Sequence, residues 1–311
     1  MVETPVLFIT FARPDYARQT WEGIKAAKPK TLYFYSNKGR TEKEGEVERN
    51  EEIRAYIKEI DWDCNLHTWF REECVNVYDS LRGAIDWLFR NEEQGIVLEE
   101  DCVPTLGFFS YADQLIVKFK DDRRVWFISG DNFINYNPGG YDYIFSHHSQ
   151  IYGWASWKDR WDSIDWELKH VEEFIERGYL RYMLPEKNQY KYMKERMINR
   201  KPWLLKTHCW DAIFFYNMLM NNGLSVYPRE NLISNIGYVG DHHSSIIIGV
   251  WNTPAVFSEY DYLITNEPPL FIPDGRFDYK LYSVTWKPTP FLKKVFKKIR
   301  RVSTMLFNKQ K

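Results

Sequence analysis

The sequence predicts an α/β fold with a mainly parallel sheet flanked by helices. Short apolar runs rich in β-branched and aromatic residues alternate with amphipathic stretches of helical length through the first part of the chain. Hydrophobic residues make up 44% of the 311 positions and charged residues 27%, which allows a large core. Alternation of strand and helix at this spacing produces βαβ units, whose strands run parallel.

The apolar runs of the first 130 residues predict five strands. They are Val6–Phe11, Leu32–Ser36, Asn65–Arg71, Gly95–Leu98 and Val125–Ser129. The amphipathic stretches predict four helices between them, at Asp15–Ala27, Glu46–Ile60, Val75–Arg90 and Phe108–Phe119. Pro14 supports the first helix because its fixed φ suits the first helical position.

The second half of the chain is less regular. Asp131–Arg160 is rich in Gly, Asn, Tyr and Trp and predicts loops and short strands beside the sheet. Two or three helices follow, at about Trp166–Arg177, Tyr179–Asn199 and Thr207–Asn222, and then a strand at Leu224–Tyr227. We therefore expect one domain over 1–245, an irregular Pro-rich extension over 246–290 and a separate tail over 291–311.

Positively charged residues are concentrated near the end of the chain. The formal charge of the chain is −1, yet Tyr279–Lys311 contains ten Lys or Arg and no acid. Apolar residues recur there every three or four positions and predict a basic amphipathic helix, which favours an anionic membrane surface as partner. Docking of the apolar stripe on the body or on a second subunit is the alternative, so an oligomer is possible. The balanced overall charge argues against nucleic acid as a partner.

Cysteine spacing and hydropathy indicate the compartment. The four cysteines form no C-x-x-C pair, and no stretch approaches the ~20 apolar residues of a membrane span. The N-terminal residues do not have the pattern of a secretory signal. We expect a cytoplasmic protein, held peripherally at the inner membrane face by its tail.

Three adjacent acids, Glu99, Glu100 and Asp101, directly follow the fourth predicted strand. Ligands in parallel α/β sheets bind beyond the carboxyl ends of the strands. Adjacent carboxylates repel one another, and a divalent cation such as Mn²⁺ or Mg²⁺ would offset that repulsion. A solvated acidic turn is the alternative interpretation.

Further candidates flank this predicted edge. Arg13 follows the first strand and could pair with phosphate, or it could simply stabilise a turn. Tyr78 and Arg82 lie four apart and share a helix face, from which Arg82 could reach a diphosphate. Pairing of Arg82 with Asp79 or Asp86 in solvent is the alternative.

Two candidates lie late in the chain. Asp211 opens an apolar helix directly after Trp210, where it could act as a general base or could only complement the helix dipole. His242 and His243 stand in a Gly-rich loop and could bind a metal or a phosphate, although loop histidines are often only solvated.

The segments PVLFITFARPDYARQT, IVLEEDCVPTLGFF, IYGWASWKDRW and CWDAIFF together resemble the nucleotide-sugar glycosyltransferases of the A-type fold. Within that group the chain resembles N-acetylglucosaminyltransferase I and related bacterial sugar transferases over roughly residues 4–243. The resemblance implies a Rossmann-like sheet, a donor half over about 1–130 and a helical acceptor half over about 131–245.

The resemblance also assigns roles. Asp101 would bind Mn²⁺ or Mg²⁺, Glu100 would face the donor ribose or a metal-bound water, and Asp211 would be the general base. His242 and His243 remain loop candidates for the metal. The other expected donor contacts are Thr10, Ala12, Arg13, Asn37, Tyr78, Arg82 and Glu99. The expected acceptor-side residues are Gly153, Trp154 and Trp210.

The activity implied is metal-dependent, inverting transfer of a sugar from a nucleotide-diphosphate donor, expected to be a UDP-sugar, to a hydroxyl of a glycan or lipid-linked acceptor. Two alternatives stay open. One is a non-catalytic nucleotide-sugar or glycan-binding protein of the same fold. The other is a sugar nucleotidyltransferase, although such enzymes usually carry a G-x-G-x-R loop where this chain has TFARPD.

Overall fold

A computed structural model describes residues 2–237, 250–256 and 262–285 of the chain. The amphipathic helix expected over 291–311, and the candidates His242 and His243, lie outside the described residues.

The first half forms the parallel part of the sheet. Its strands are β1 (Val6–Thr10), β2 (Thr31–Ser36), β3 (Asn65–Phe70) and β4 (Gln94–Glu99). Its helices are α1 (Pro14–Ala27), α2 (Glu46–Arg54) and α3 (Val77–Asn91), and a short 3₁₀ turn, Ala55–Glu59, follows α2. All five residues of β1 are buried, which explains its continuous apolar sequence.

The second half adds mixed strands and most of the helices. Its strands are β5 (Cys102–Pro104), β6 (Val125–Ser129), β7 (Tyr143–Ser146), β8 (Trp154–Trp157), β9 (Leu224–Pro228) and β10 (Ile233–Asn235). Its helices are α4 (Leu106–Lys118), α5 (Lys158–Asp162), α6 (Val171–Glu176), α7 (Tyr179–Met183), α8 (Lys187–Thr207), α9 (Trp210–Met220) and α10 (Gly275–Thr285), with a 3₁₀ turn at Val250–Asn252.

The described residues contain one eight-stranded sheet of order β3-β2-β1-β4-β8-β6-β9-β7, and β5 pairs separately with β10. β8 and β7 run antiparallel to their neighbours, and the other strands share one direction. Apolar side chains pack on both faces of the sheet, around Trp21 on one and Trp154 on the other. The predicted α/β class with a mainly parallel, Rossmann-like sheet is confirmed.

Several predicted boundaries differ from the structure. The helix expected at Tyr179–Asn199 is split into α7 and α8, because Pro185 disfavours a helical conformation at Leu184. α9 begins at Trp210 and not at Thr207, because His208 has a left-handed φ of 56° that ends α8. The extension expected to be irregular contains α10, which packs on β7. The division into domain, extension and tail stays a prediction.

β7 is an edge strand, and the segment 266–274 runs along its outer side. The amide of Asp142, just before β7, donates to the carbonyl of Asn266 over 2.8 Å. The amide of Asp274 donates to the carbonyl of Phe145 over 2.9 Å. The Pro-rich segment therefore covers backbone groups that β7 would otherwise present to solvent.

Candidate active site at the carboxyl edge of the sheet

The candidate site begins where β1 and β4 end side by side. The two strands are parallel neighbours, and Ile9 of β1 lies opposite Glu99 of β4. The loop that carries Arg13 therefore meets the acids that follow β4. This is the arrangement expected from the position of both segments at strand ends.

Glu100 ties the two segments together. It is buried, with 3% of its surface exposed, and its Oε2 accepts from the amide of Phe11 over 2.8 Å. Its Oε1 accepts from Nε of Arg13, and its carbonyl accepts from the hydroxyl of Thr20 over 3.0 Å. Burial raises the pKa of Glu100, against the opposing effect of Arg13. Because both oxygens already have partners within the chain, Glu100 holds the loop after β1 in place; its donor-binding role stays a prediction.

Arg13 also contacts Asp101, over 2.9 Å from its terminal nitrogen to Oδ2. Burial alone would lower the pKa of Arg13, but the charges of Asp101 and Glu100 raise it above its usual value. Arg13 is therefore a fixed positive charge at the edge of the sheet. It lies where an anionic ligand beyond β1 and β4 would meet it.

For Glu99, no contact among the described residues outweighs the effect of burial on its pKa. Burial, followed by the negative charges of Asp101 and Asp211, raises the pKa of Glu99 to about 8, although Arg13 opposes this. In the described ranges no group of three or more His, Cys, Asp or Glu side chains is placed to hold a metal ion. Mg²⁺ and Mn²⁺ usually take only one or two protein carboxylates together with substrate phosphates, so Glu99 and Asp101 fit such a cation when a phosphate ligand completes the site.

The chain after β10 closes over Asp101. The amide of Ile236 donates to the carbonyl of Asp101 over 2.9 Å. A Cβ added at Gly237 would lie 2.3 Å from Oδ2 of Asp101, so a larger residue there would displace the carboxylate from its present position. Gly237 was not among the predicted site residues, although its place just before the predicted loop with His242 and His243 is a signal that could have identified it.

Asp211 approaches the same edge from the first turn of α9. Trp210 stacks on Trp154 of β8, with ring centroids 5.4 Å apart, and both rings are buried. Trp154 pairs in turn with Val97 of β4, two residues before Glu99. The thiol of Cys209 donates to Oδ1 of Asp211 over 2.8 Å. The stacked tryptophans therefore position the Asp211 carboxylate close enough to raise the pKa of Glu99.

Two further predicted residues lie near this group. Gly153 has a φ of 72°, and a Cβ there would lie 2.6 Å from Ile233, so glycine is needed for the turn into β8. Tyr78 packs edge-on against Trp203, and burial followed by Cys209 and Asp211 raises its pKa. Tyr78 therefore faces the start of α9, and its role at the donor stays a prediction.

Arg82 has one of the two partners that the alternative interpretation named, Asp86, and also packs on Trp166. Its guanidinium lies 3.7 Å from the ring centroid of Trp166, and its Nε is 3.8 Å from Oδ2 of Asp86. A role at a diphosphate would require it to leave Trp166, and that role stays a prediction.

The other donor-side candidates contact the chain itself. The Thr10 hydroxyl donates to the carbonyl of Tyr35 over 3.0 Å, and the Ala12 carbonyl accepts from Nε of Arg49 over 3.3 Å. The Asn37 amide donates to the carbonyl of Val75 over 2.9 Å. These contacts shape the edge at β1 and β2.

Sequence reasoning missed one acid at this edge. Asp131 follows β6 by two residues and is 2% exposed. Its place after a strand was the signal that identified Glu99, but the sequence SGDN offers a single acid in a segment that otherwise indicated loops. A groove of about 470 Å³ lies away from this site, between β7 and residues 268–276. β7 is the edge strand farthest from β3, so four strands separate it from β1 in the sheet.

No family model and no curated protein matches the chain. Similar solved structures include HddC from Yersinia pseudotuberculosis, at 10% identity and a TM-score of 0.32, covering 50% of this chain and 78% of that one. A UDP-glucose pyrophosphorylase shows 7% identity and a TM-score of 0.33, covering 73% and 90%. The glycosyltransferase GlyE in Streptococcus pneumoniae TIGR4 shows 11% identity and a TM-score of 0.29, covering 74% and 55%.

With TM-scores this low, the fold assignment rests on the observed strand order and directions. The resemblance to N-acetylglucosaminyltransferase I stays a prediction. None of the helices within the described ranges combines the length and apolar composition that a membrane span requires.

Proposed function

We propose that the chain is a metal-dependent, inverting glycosyltransferase that moves a sugar from a nucleotide-diphosphate donor, a UDP-sugar in the first instance, to an acceptor hydroxyl. One observation carries the proposal. A fixed cation, Arg13, two acids, Glu99 and Asp101, and a separate carboxylate, Asp211, lie close together at the carboxyl edge of the mainly parallel sheet. These are the groups that sugar transfer from a diphosphate needs.

The donor would lie along β1 and β4. Asp101 and Glu99 would hold Mn²⁺ or Mg²⁺ together with oxygens of the donor diphosphate. The bound cation would neutralise charge that develops on the leaving diphosphate. Arg13 contributes a second positive charge at the same edge, and because Glu100 fixes it in advance, little reorganisation is needed when the leaving group becomes more negative.

Asp211 would act on the acceptor. Its carboxylate would accept the proton of the attacking hydroxyl as that oxygen approaches the anomeric carbon. The Cys209 thiol donates to Oδ1, and Oδ2 accepts no hydrogen bond from the described residues, so Oδ2 is the oxygen to which we assign the proton. Attack from the face opposite the diphosphate gives inversion at that carbon.

A ligand screen tests the proposal. Melting temperatures are measured for the full chain with UDP-, GDP- and dTDP-sugars, with Mn²⁺ or with EDTA, because a ligand that binds only the folded state raises Tm. We expect a rise with at least one nucleotide-sugar in Mn²⁺ and release of nucleoside diphosphate from it. Binding without release would favour the non-catalytic alternative. Turnover of a nucleoside triphosphate with a sugar 1-phosphate would favour the nucleotidyltransferase.

The lipid-linked acceptor and the peripheral membrane location belong to the same proposal. They rest on the ten basic residues of Tyr279–Lys311, each worth ~1 kcal/mol near an anionic surface. Deletion of 288–311 should abolish sedimentation with vesicles that contain phosphatidylglycerol. Unchanged sedimentation would contradict membrane binding by the tail.

A further inference from the structure

The carboxylate of Asp131 is buried and has no hydrogen-bond partner among the described residues. Asp131 is 2% exposed, and in the described ranges neither carboxylate oxygen has a partner with good geometry. The amide of Tyr152 and the hydroxyl of Ser129 lie near enough to lower its pKa, but burial dominates and raises the pKa well above the usual value. An unpaired buried acid destabilises the fold, so its presence at a strand end calls for a function.

Other unsatisfied polar groups lie beside it. Among the residues that the structure describes, the side-chain amide nitrogen of Gln150 and the hydroxyl of Tyr227 are also buried and lack a partner. The Ser129 hydroxyl lies 3.5 Å from the carbonyl of Asp131 and 3.3 Å from that of Gln150, which places these two residues together. After burial, Asp131 is the largest influence raising the pKa of Tyr227. Near the end of β6, the carboxylate of Asp131, the amide of Gln150 and the hydroxyl of Tyr227 therefore all lack hydrogen-bond partners among the described residues.

This polar group adjoins the candidate active site. Val97 of β4 and Ser129 of β6 both pair with Trp154 of β8, so Glu99 and Asp131 each lie two residues beyond this shared partner. Tyr152 is near both acids, because after burial their charges are among those that raise its pKa. β6 and β4 are separated in the sheet only by β8. A sugar attached to a diphosphate at Asp101 therefore has an unsatisfied carboxylate within its neighbourhood.

We propose that Asp131 binds the transferred sugar, accepting hydrogen bonds from two adjacent hydroxyls, with the Gln150 amide donating to a sugar oxygen and the Tyr152 ring forming the wall. The inference rests on the proposed function and names the donor-sugar subsite of the same site. Neighbouring sugar hydroxyls match a two-oxygen acceptor, whereas a phosphate would be repelled and an apolar group would leave the carboxylate unsatisfied.

Asp131→Asn tests the subsite, because it keeps the shape of the side chain but removes the charge and one acceptor oxygen. The probes are UDP, UDP-glucose, UDP-galactose, GDP and GDP-mannose in Mn²⁺, titrated by calorimetry against the full chain. We expect the variant to bind the best nucleotide-sugar about tenfold more weakly. Binding of the matching sugar-free diphosphate should not change. Tm should stay level or rise, since an unpaired buried acid has been neutralised.

Asp278→Asn is the matched control. Asp278 is also buried, at 5% exposure, but it accepts from the Ser146 hydroxyl over 2.6 Å and the His147 amide over 3.2 Å. This variant should lower Tm and leave both affinities unchanged.

The outcomes are separable. If wild-type protein binds none of the probes, the proposed function fails and the subsite falls with it. If wild-type binds a nucleotide-sugar and Asp131→Asn binds it equally well, only the subsite is overturned, and the carboxylate serves the fold or bound solvent. An equal loss for nucleotide-sugar and free diphosphate would also overturn it, because a sugar contact cannot weaken a ligand without a sugar.

Discussion

The acids at the carboxyl edge of β4 and β6 differ from the acids around β7. Asp142 accepts from the amides of Thr265 and Asn266 over 2.6 and 2.7 Å and from Arg229 over 2.7 Å. These contacts lower the pKa of Asp142 although burial opposes them. Glu99 and Asp131, in contrast, have raised pKa values because burial is not compensated. We infer that Asp142, whose oxygens are satisfied, stabilises the fold, and that Asp131, whose oxygens have no partner among the described residues, serves a ligand.

The largest expected effect is on turnover. Asp211→Asn should reduce release of nucleoside diphosphate by about 10²–10⁴-fold, because the variant cannot accept the proton of the attacking hydroxyl. Donor affinity and Tm should change little, since the amide oxygen can still accept from Cys209. Steady-state kinetics and donor titration check this. Near wild-type turnover would remove Asp211 from the mechanism.

The next effect is on stability and tests the region around β7. Asp142→Ala should lower the free energy of unfolding by roughly 3 kcal/mol, because two amides and Arg229 lose a buried partner. Urea unfolding measures it. The control Asp274→Ala removes an acid whose side chain is more exposed, at 22% against 5% for Asp142, and should cost less. If Asp142→Ala leaves the free energy of unfolding unchanged, the inferred difference between the acids of the two regions is wrong.

In mild acid, His148 alone should contribute roughly 2–3 kcal/mol of destabilisation, whereas Glu99 and Asp131, whose pKa values are raised, contribute in the opposite direction. Burial is the main cause that lowers the pKa of His148 to about 4, whereas an unfolded histidine has a pKa near 6.5. The unfolded state therefore binds more protons between these values, and stability present above pH 6.5 is lost as the pH falls through 4. Urea unfolding of the wild type and of His148→Gln at pH 7.0, 5.5 and 4.5 isolates this contribution, because the loss of stability due to His148 should be absent from the slope of the variant. An unchanged slope in the variant would assign the effect to other groups.

The smallest expected effect concerns the metal. Asp101→Asn should weaken binding of the nucleotide-sugar about tenfold in Mn²⁺ and little in EDTA, because it removes a carboxylate ligand while the fold around Glu100 remains. Calorimetry in both buffers measures the difference. Equal loss in both would mean that Asp101 acts through Arg13 and not through a cation.

Much of the fold could be predicted because β1, β2 and β4 are largely buried and have continuous apolar sequences. β7 and β8 have only four residues each and lie in a segment rich in turn residues, so no periodicity distinguishes them. α10 follows a Pro-rich stretch that indicated irregular structure. It forms because its buried residues, among them Phe277 and Leu281, pack against tertiary partners.

The residues of the candidate site could be predicted only where the local sequence marks the end of a strand or the start of a helix. The strand-end rule identified Arg13 and the acids after β4, and the start of an apolar helix identified Asp211. The pairing of Arg13 with Glu100, the approach of Gly237 to Asp101 and the burial of Asp131 depend on contacts between distant segments. Local patterns do not contain that information.

The segment along the outer side of β7 has a consequence for behaviour in concentrated solution. An open sheet edge can recruit the edge of another molecule and start aggregation. Pro268, Pro269 and Pro273 have no amide hydrogen, so this border cannot be extended by a regular ladder. The prolines therefore disfavour edge-to-edge pairing of the β-sheets of two copies of the protein.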